Sequence, residues 1–152
     1  MKPITVRPCT VADVESAPNM ALLLAEYGAE SAIPELGPVN PQFPLYKALE
    51  ANGSVRMLGA FHDGELVGFM AVLVSVLPHF GVVVGTSESY FVASHDRKSG
   101  AGLDLLHAAE DMAREMGAIG FFVSTPVGSR LERVMPGVGY RDTNRVFFKA
   151  LA

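Results

Sequence analysis

The 152-residue sequence is 49% hydrophobic and only 18% charged, with 15 Gly, 10 Pro, one Cys and no Trp. Such a length fits one domain over residues 1–152, because domains run roughly 100 to 200 residues, and the composition excludes long disorder and fibrous chains. The lone Cys9 excludes an internal disulfide and a thiolate zinc site, and a net charge of −4 lacks the basic stripe of a nucleic-acid binder.

Ile4-Thr5-Val6-Arg7 alternates apolar and polar residues and stops at Pro8, which predicts a short first strand. Thr10 and Asp13 have capping-box spacing, so a helix starts there, and Pro18 must break it. A second helical piece follows over 19–27 through Met20, Leu23 and Leu24. From Gly28 to Pro44 the breakers Pro34, Gly37, Pro38, Pro41 and Pro44 predict a long loop, either a binding segment or disordered. Pro44 suits the first position of a helix over 45–51, which Asn52-Gly53 stops.

Strands over 55–61 and 66–77 flank His62-Asp63-Gly64-Glu65, where Asp-Gly predicts a tight antiparallel hairpin. From Leu66 to Gly85 the only polar side chains are Ser75 and His79, which raises the question of a membrane span. Pro78-His79 interrupts that run, and the β-branched valines on either side fit two strands joined by a turn. The second of these covers 82–92, with Glu88 inside it. A polar, glycine-bearing loop from Ser94 to Gly102 opens into a long amphipathic helix, with Leu105, Ala109, Met112 and Met116 as its buried stripe and Gly117 as its end. A strand over 119–124, a helix over 129–135 and a last strand over 145–150 complete the order. No signal peptide and no membrane span are expected, and a cytoplasmic location fits.

The strongest local signal is strand, then Arg97-x-x-Gly100-x-Gly102, then helix. Glycines let backbone N–H groups converge on one point, the helix N-terminus adds partial positive charge, and Arg97 and Lys98 add full charges, which together suit a phosphate or diphosphate. A P-loop is excluded because Gly-Lys-Ser/Thr is missing, and the dinucleotide fingerprint because Leu105 stands where its third Gly belongs. A turn that merely caps the helix through Ser99 is the alternative. Charge is split at the same place: residues 1–96 hold 4 Lys or Arg against 10 Asp or Glu, and residues 97–152 hold 8 against 6.

In this order of elements, the loop and the preceding Tyr90-Phe91-Val92 resemble the GNAT superfamily of N-acetyltransferases over most of the chain. The proline-rich segment before Tyr46, His79 and Glu88 are similar to a phage-associated branch of it. The resemblance implies an α/β (α+β) fold with a mixed, mostly antiparallel six- to seven-stranded sheet flanked by helices and split between its fourth and fifth strands. It also implies acetyl-CoA as cosubstrate, no metal, and acetyl transfer to an amine of a small molecule or peptide. Phe91 and Val92 would offer backbone groups to the pantetheine and thioester, the amides of Lys98, Ser99, Gly100, Ala101 and Gly102 would hold the pyrophosphate beside Arg97, and Ser129 would lie near the cofactor or replace the missing acid. Glu88 is the candidate general base, with an exposed strand carboxylate as the alternative, and His79 could line the acceptor pocket or share the proton work.

Two departures from the family pattern stand out. Alignment on Gly139-Tyr140 puts Gly128 where many members carry Asn, and Met135 where they carry the Tyr that protonates the departing thiolate. Tyr140 is the candidate replacement acid, with a core tyrosine as the alternative. A second function class therefore stays open, a non-catalytic module of this fold that binds CoA or a partner protein. The 28–44 loop, with Glu30, Glu35, Asn40 and Gln42, is expected to cover the acceptor, and the acidic first half favours a cationic one. Apolar surface and sheet edges are compatible with a homodimer, although no residue marks one.

Overall fold

The Asp63-Gly64 turn organises the sheet. In the computed structural model, which describes residues 3–31 and 33–152, both turn residues take positive φ, 52° and 78°, as a two-residue hairpin loop of matching twist requires. This turn joins β2 (Val55–His62) to β3 (Glu65–Leu77) with His62 opposite Glu65 and Val55 opposite Leu73. β4 (Val82–Val92) returns antiparallel along β3, and β1 (Thr5–Cys9) pairs with the other side of β2. Pro8 lies within β1 instead of ending it, because an edge strand tolerates a residue without an N–H donor. β5 (Phe121–Phe122) runs parallel to β4 and completes the order β1-β2-β3-β4-β5.

Helices cover both faces. α1 (Val11–Glu15) starts at the predicted capping box, in which Thr10 Oγ1 accepts from the Asp13 N–H at 3.0 Å and the Thr10 N–H donates to Asp13 at 2.9 Å; such a cap contributes about 1 kcal/mol. α2 (Met20–Glu30) runs one turn further than predicted, and α3 (Phe43–Ala51) carries Pro44 in its first turn. The 28–44 loop is correspondingly shorter and holds a single turn of 3-10 helix, Pro34–Leu36; its residue Ala32 lies outside the described residues. The Val11 N–H donates to Glu50 at 2.9 Å and Lys47 pairs with Glu15 at 2.6 Å, which ties α1 to α3. Under these helices Met57, Phe69 and Phe91 build one core. On the opposite face α4 (Ala101–Glu115) buries Leu105, Leu106 and Ala109 against Leu58, Met70 and Val72, and each large aliphatic side chain so buried contributes about 1.5–3 kcal/mol. No described helix is long and apolar enough to cross a membrane.

The C-terminal third departs from expectation. The strand predicted over 119–124 shrinks to two residues, held to β4 by the pairs Gly85–Phe121 and Thr86–Phe122 and by flanking bonds of 3.0 Å from Gly85 N–H to Gly120 and from Ile119 N–H to Val83. Past Thr86 the ladder ends; the Ser124 N–H still donates to the buried Ser87 Oγ at 3.2 Å, and β4 from Glu88 to Val92 has no strand partner on its outer side. α5 (Arg130–Val134) follows, capped by Ser129 Oγ, which accepts from the Glu132 N–H at 3.2 Å. The predicted last strand over 145–150 does not pair within the chain, so among the described residues the sheet has five strands and not six or seven.

Candidate active site

Between Ala71 and Val72 the register of β3 on β4 slips: Ala71 faces Ser89, Val72 faces Ser87, and Glu88 is the extra residue. A bulge of this kind bends a strand and re-aims one side chain. Here Glu88 joins Ser89 on the face covered by α1 to α3, and both of its oxygens accept from the Tyr46 hydroxyl at 2.8 Å. Burial, and then this hydrogen bond to a carboxylate, push the Tyr46 phenol well above its ordinary range. Tyr46 therefore keeps its proton and remains a donor, holding Glu88 in one orientation. The sequence reading missed Tyr46 as a site residue, since nothing local pairs a helix residue with a strand residue 42 positions later.

Glu88 borders a cavity of about 260 Å³. Its walls are Leu24 and Tyr27 of α2, Phe43 and Tyr46 of α3, Phe69 of β3, and Val39 and Pro41 from the 28–44 loop, with Asn40, Ser31 and Ser89 as polar points. Glu88 is the one charged residue among the described lining. The loop thus supplies one wall of this cavity, whereas Glu30 pairs with Arg97. Tyr27 packs edge-on to Phe69, with ring centroids 5.7 Å apart, and tilts onto Phe91 at 5.4 Å, so aromatic contacts fix the floor.

On the opposite side of Glu88 the split meets the end of β4. The Ala93 N–H donates to Val67 O at 2.8 Å, and antiparallel alternation turns the polar groups of Phe91 the same way and those of Val92 outward. The Val92 carbonyl accepts from Arg97 Nε at 2.9 Å, Arg97 pairs with Glu30 at 2.5 Å, and its guanidinium lies 5.5 Å from the centre of the Phe91 ring. Arg97 therefore braces α2 against β4, and its charge is already compensated.

The loop after β4 is a 3-10 turn over Ser94–Ser99 that ends at Gly100, where φ is +89°. Only glycine takes that conformation without strain, which is why the chain can swing into α4 at this point. Ser99 Oγ accepts from the Ala101 N–H at 3.2 Å, so that amide is capped, as the alternative reading had it. The next N–H groups, of Gly102 and Leu103, open the helix and have no intrahelical acceptor. Tyr90 donates to the Gly102 carbonyl and thereby locks the first turn of α4 to β4. Exposed Lys98 adds a positive charge beside these amides. The free amides at the start of α4 beside Lys98 have the partial and full positive charge that suits an anion.

Other candidates lie apart from Glu88. His79 sits on the tip of the β3–β4 hairpin against Phe80, with ring centroids 4.2 Å apart, nine residues before Glu88 and beyond about 20 Å of strand from Val82 to Glu88. Tyr140 packs on the α4 face and donates to Glu110 at 2.6 Å; burial and that carboxylate push its phenol above the ordinary range. The sheet separates it from the Glu88 cavity. Met135 is partly buried in the same core, and Gly128 takes a φ of +76° before α5. Among the described residues no group of three or more His, Cys, Asp or Glu is placed to hold a metal ion.

Cys9 is half-buried, and burial, followed by the Asp13 charge, raises its thiol to about 11. At pH 8 only about one thiol in a thousand is then ionised, against roughly a quarter for a free cysteine. Alkylation of the native chain by iodoacetamide at pH 8 is expected to run roughly 200-fold slower than that of free cysteine and to accelerate towards pH 11. Rapid labelling without unfolding would contradict the buried placement.

A split mixed sheet, a bulged central strand with an oriented carboxylate, and a glycine-led helix at the strand's end define an acetyltransferase domain. A sequence model described as the acetyltransferase (GNAT) family matches residues 21–129, and the chain belongs to that family. No curated protein sequence matches it. Among solved structures, a ribosomal-protein-alanine N-acetyltransferase from Brucella melitensis is similar with a TM-score of 0.73 at 20% identity, over 98% of this chain and 99% of that one. Glucosamine-6-phosphate N-acetyltransferase from Arabidopsis thaliana gives 0.74 at 13% identity over 99% and 100%. An aminoglycoside acetyltransferase from an uncultured soil metagenomic sample gives 0.76 at 12% over 98% and 97%. These likenesses concern the fold.

Proposed function

We propose that this acetyltransferase moves the acetyl group of acetyl-CoA to the primary amine of a small acceptor with an apolar body, or of a peptide that inserts one apolar side chain. The observation that carries this reading is Glu88, the single charge among the described residues that line a mostly apolar cavity. The acyl thioester supplies the electrophile. Glu88, held by Tyr46, takes the proton of the incoming ammonium directly or through one water; the amine nitrogen bonds to the thioester carbon with the Val92 N–H facing the developing oxyanion, the C–S bond breaks, and the CoA thiolate leaves to take a proton from solvent, while the amides of Gly102 and Leu103 with Lys98 hold the pyrophosphate. At about 260 Å³ the cavity lies just below the roughly 300–1,000 Å³ of typical ligand pockets, which favours a compact acceptor.

Thiol release measured on a panel of amines tests the assignment. Phenylalkyl and branched alkyl amines are expected to exceed polyhydroxylated aminoglycosides and amino sugars in kcat/KM by at least about tenfold, since each buried CH2 contributes about 0.8 kcal/mol. Equal or reversed preference would refute the apolar acceptor. A second reading, a CoA-binding module without turnover, draws on Tyr140 being tied to Glu110 and on Met135 in the place of the usual acid. Calorimetric binding of CoA with no thiol release from any amine would favour it.

Gly102 offers a direct check of the cofactor surface. A Cβ there meets only ordinary contacts, 3.5 Å from the Tyr90 hydroxyl and 3.8 Å from Val92, so Gly102→Glu is expected to fold normally. Its carboxylate at the helix start should weaken CoA binding by at least about 100-fold, given the loss of dipole attraction and the added repulsion. Unaltered CoA affinity in a folded Gly102→Glu variant would remove the loop from cofactor binding.

A further inference from the structure

From Glu88 to Val92 the outer side of β4 has no strand partner, so the ladder that fixes a central strand on both sides is missing there. Side chains of α2 supply the restraint. Arg97 Nε donates to the Val92 carbonyl at 2.9 Å while its Nη2 pairs with Glu30 at 2.5 Å, and Glu26 accepts from the Ser94 N–H at 2.6 Å. Tyr27, between the two acids in sequence, packs on Phe91. The helix that walls the amine cavity with Leu24 and Tyr27 thus also grips the chain from Phe91 to Arg97.

This placement of acids works against the helix itself. Glu26 and Glu30 stand four residues apart, where like charges repel, and Glu30 lies in the last turn, where the helix dipole disfavours a carboxylate and no basic residue answers it. Desolvation also opposes ionisation of Glu26, yet the bonds from Ser94 and the charges of Arg97 and His95 hold its carboxyl below the ordinary range. What compensates both acids comes from the segment after β4, so the pair and that segment hold each other in place.

We propose that Glu26 and Glu30 are positioning residues that keep the Val92 N–H aimed at the thioester oxygen. The peptide plane after Val92 is held at both ends, its N–H by Val67 O at 2.8 Å and its carbonyl by Arg97. Glu30 fixes the guanidinium that makes the second of these bonds, and Glu26 fixes the first N–H of the turn that follows, so the end of β4 cannot drift outward with the loop. A donor to an oxyanion acts only when it is already in place, and a misplacement of about 1 Å can lower a rate roughly 10²-fold. This role rests on the proposed acetyl transfer with Val92 as the oxyanion donor.

Glu26→Ala and Glu30→Ala are each expected to lower kcat by roughly 10- to 30-fold with CoA affinity kept within about threefold. Glu30 is exposed and Glu26 half-buried, so Tm should stay within about 2 °C of the wild type. Glu26→Gln and Glu30→Gln, whose amide oxygens still accept from Ser94 and Arg97, should recover kcat to within about threefold. A second readout needs no acceptor: the infrared carbonyl stretch of bound acetyl-CoA, isotope-labelled at the thioester, should lie below that of free acetyl-CoA in the wild type and return towards it in both Ala variants. A wild-type stretch that is not lowered would remove Val92 as donor, and this role with it. A lowered stretch that the Ala variants keep, an unchanged kcat in them, or Gln variants no better than Ala would overturn the positioning role alone. Should no amine be turned over, the stretch in wild type and variants decides.

Discussion

Glu88→Gln is expected to lower kcat by roughly 10²- to 10³-fold near neutral pH while CoA affinity stays within about twofold. The amide has the volume of the carboxylate and its oxygen still accepts from the Tyr46 hydroxyl, so the cavity and the bulge on β4 are retained. What it lacks is a site for the ammonium proton, and a positioned general base contributes about 10²- to 10⁴-fold. The variant's rate should climb with pH as more of the acceptor arrives already deprotonated, whereas the wild type should depend on pH less steeply. Tyr46→Phe serves as the companion measurement: it keeps the base but frees the carboxylate, and a smaller loss than that of Glu88→Gln is expected. Equal turnover of wild type and Glu88→Gln at saturating acceptor would take Glu88 out of the chemistry and leave the cavity as a binding feature only.

The second large effect is structural. A Cβ on Gly85 would lie 2.7 Å from the Phe121 ring and 2.8 Å from Ala113 Cβ, so β4, β5 and α4 meet there with no room for a side chain. Gly85→Val must push β5 or α4 away from β4 at the hinge of the split. With overpacking costing about 1–3 kcal/mol and the short β4–β5 ladder lost with it, a decrease in Tm of roughly 5–10 °C is expected. Gly120→Ala is the matched control, since a Cβ there finds open space and its φ is not in the left-handed region. Thermal melts that do not separate the two variants would mean that β5 is not packed against β4 as described.

The elements legible in the sequence are those whose cause is local. Asp63-Gly64 demands positive φ at two adjacent residues, Thr10 and Asp13 satisfy each other across one turn, and Leu105, Ala109 and Met112 repeat at helical spacing. In each case the determinant sits within a few residues of the effect. The glycine loop belongs with them, because the left-handed Gly100 and the helix start after it are consequences of chain geometry. A strand expected over 145–150 from its β-branched and aromatic residues is not formed in the chain, since a strand needs an edge to pair with and local sequence does not say which edge is within reach. The hydrogen bond from Tyr46 to Glu88 and the pairing of Arg97 with Glu30 were invisible for a different reason: charge and hydroxyl chemistry read from sequence give the groups, not the partners that compensate them. Arg97, expected beside the pyrophosphate, pairs with Glu30 of α2. Tyr140, proposed as an acid, lies beyond the sheet for the same reason, because the fold chose the face of its side chain.

β4 has one further consequence. Its alternate residues face different compartments: Phe91 and Ser89 look toward α1 to α3, and Val92 and Tyr90 look toward α4. The side chains of the strand therefore partition the helices and loop around the proposed amine chamber from α4, while the amine and the thioester are proposed to meet at the strand's own outer edge, where the Val92 N–H points. Substitutions in the helices and loop on one side can reshape what enters that chamber without disturbing the N–H groups that start α4 on the other. A lineage built on such a partition can change clients by altering one wall and keep a single supply of acyl groups.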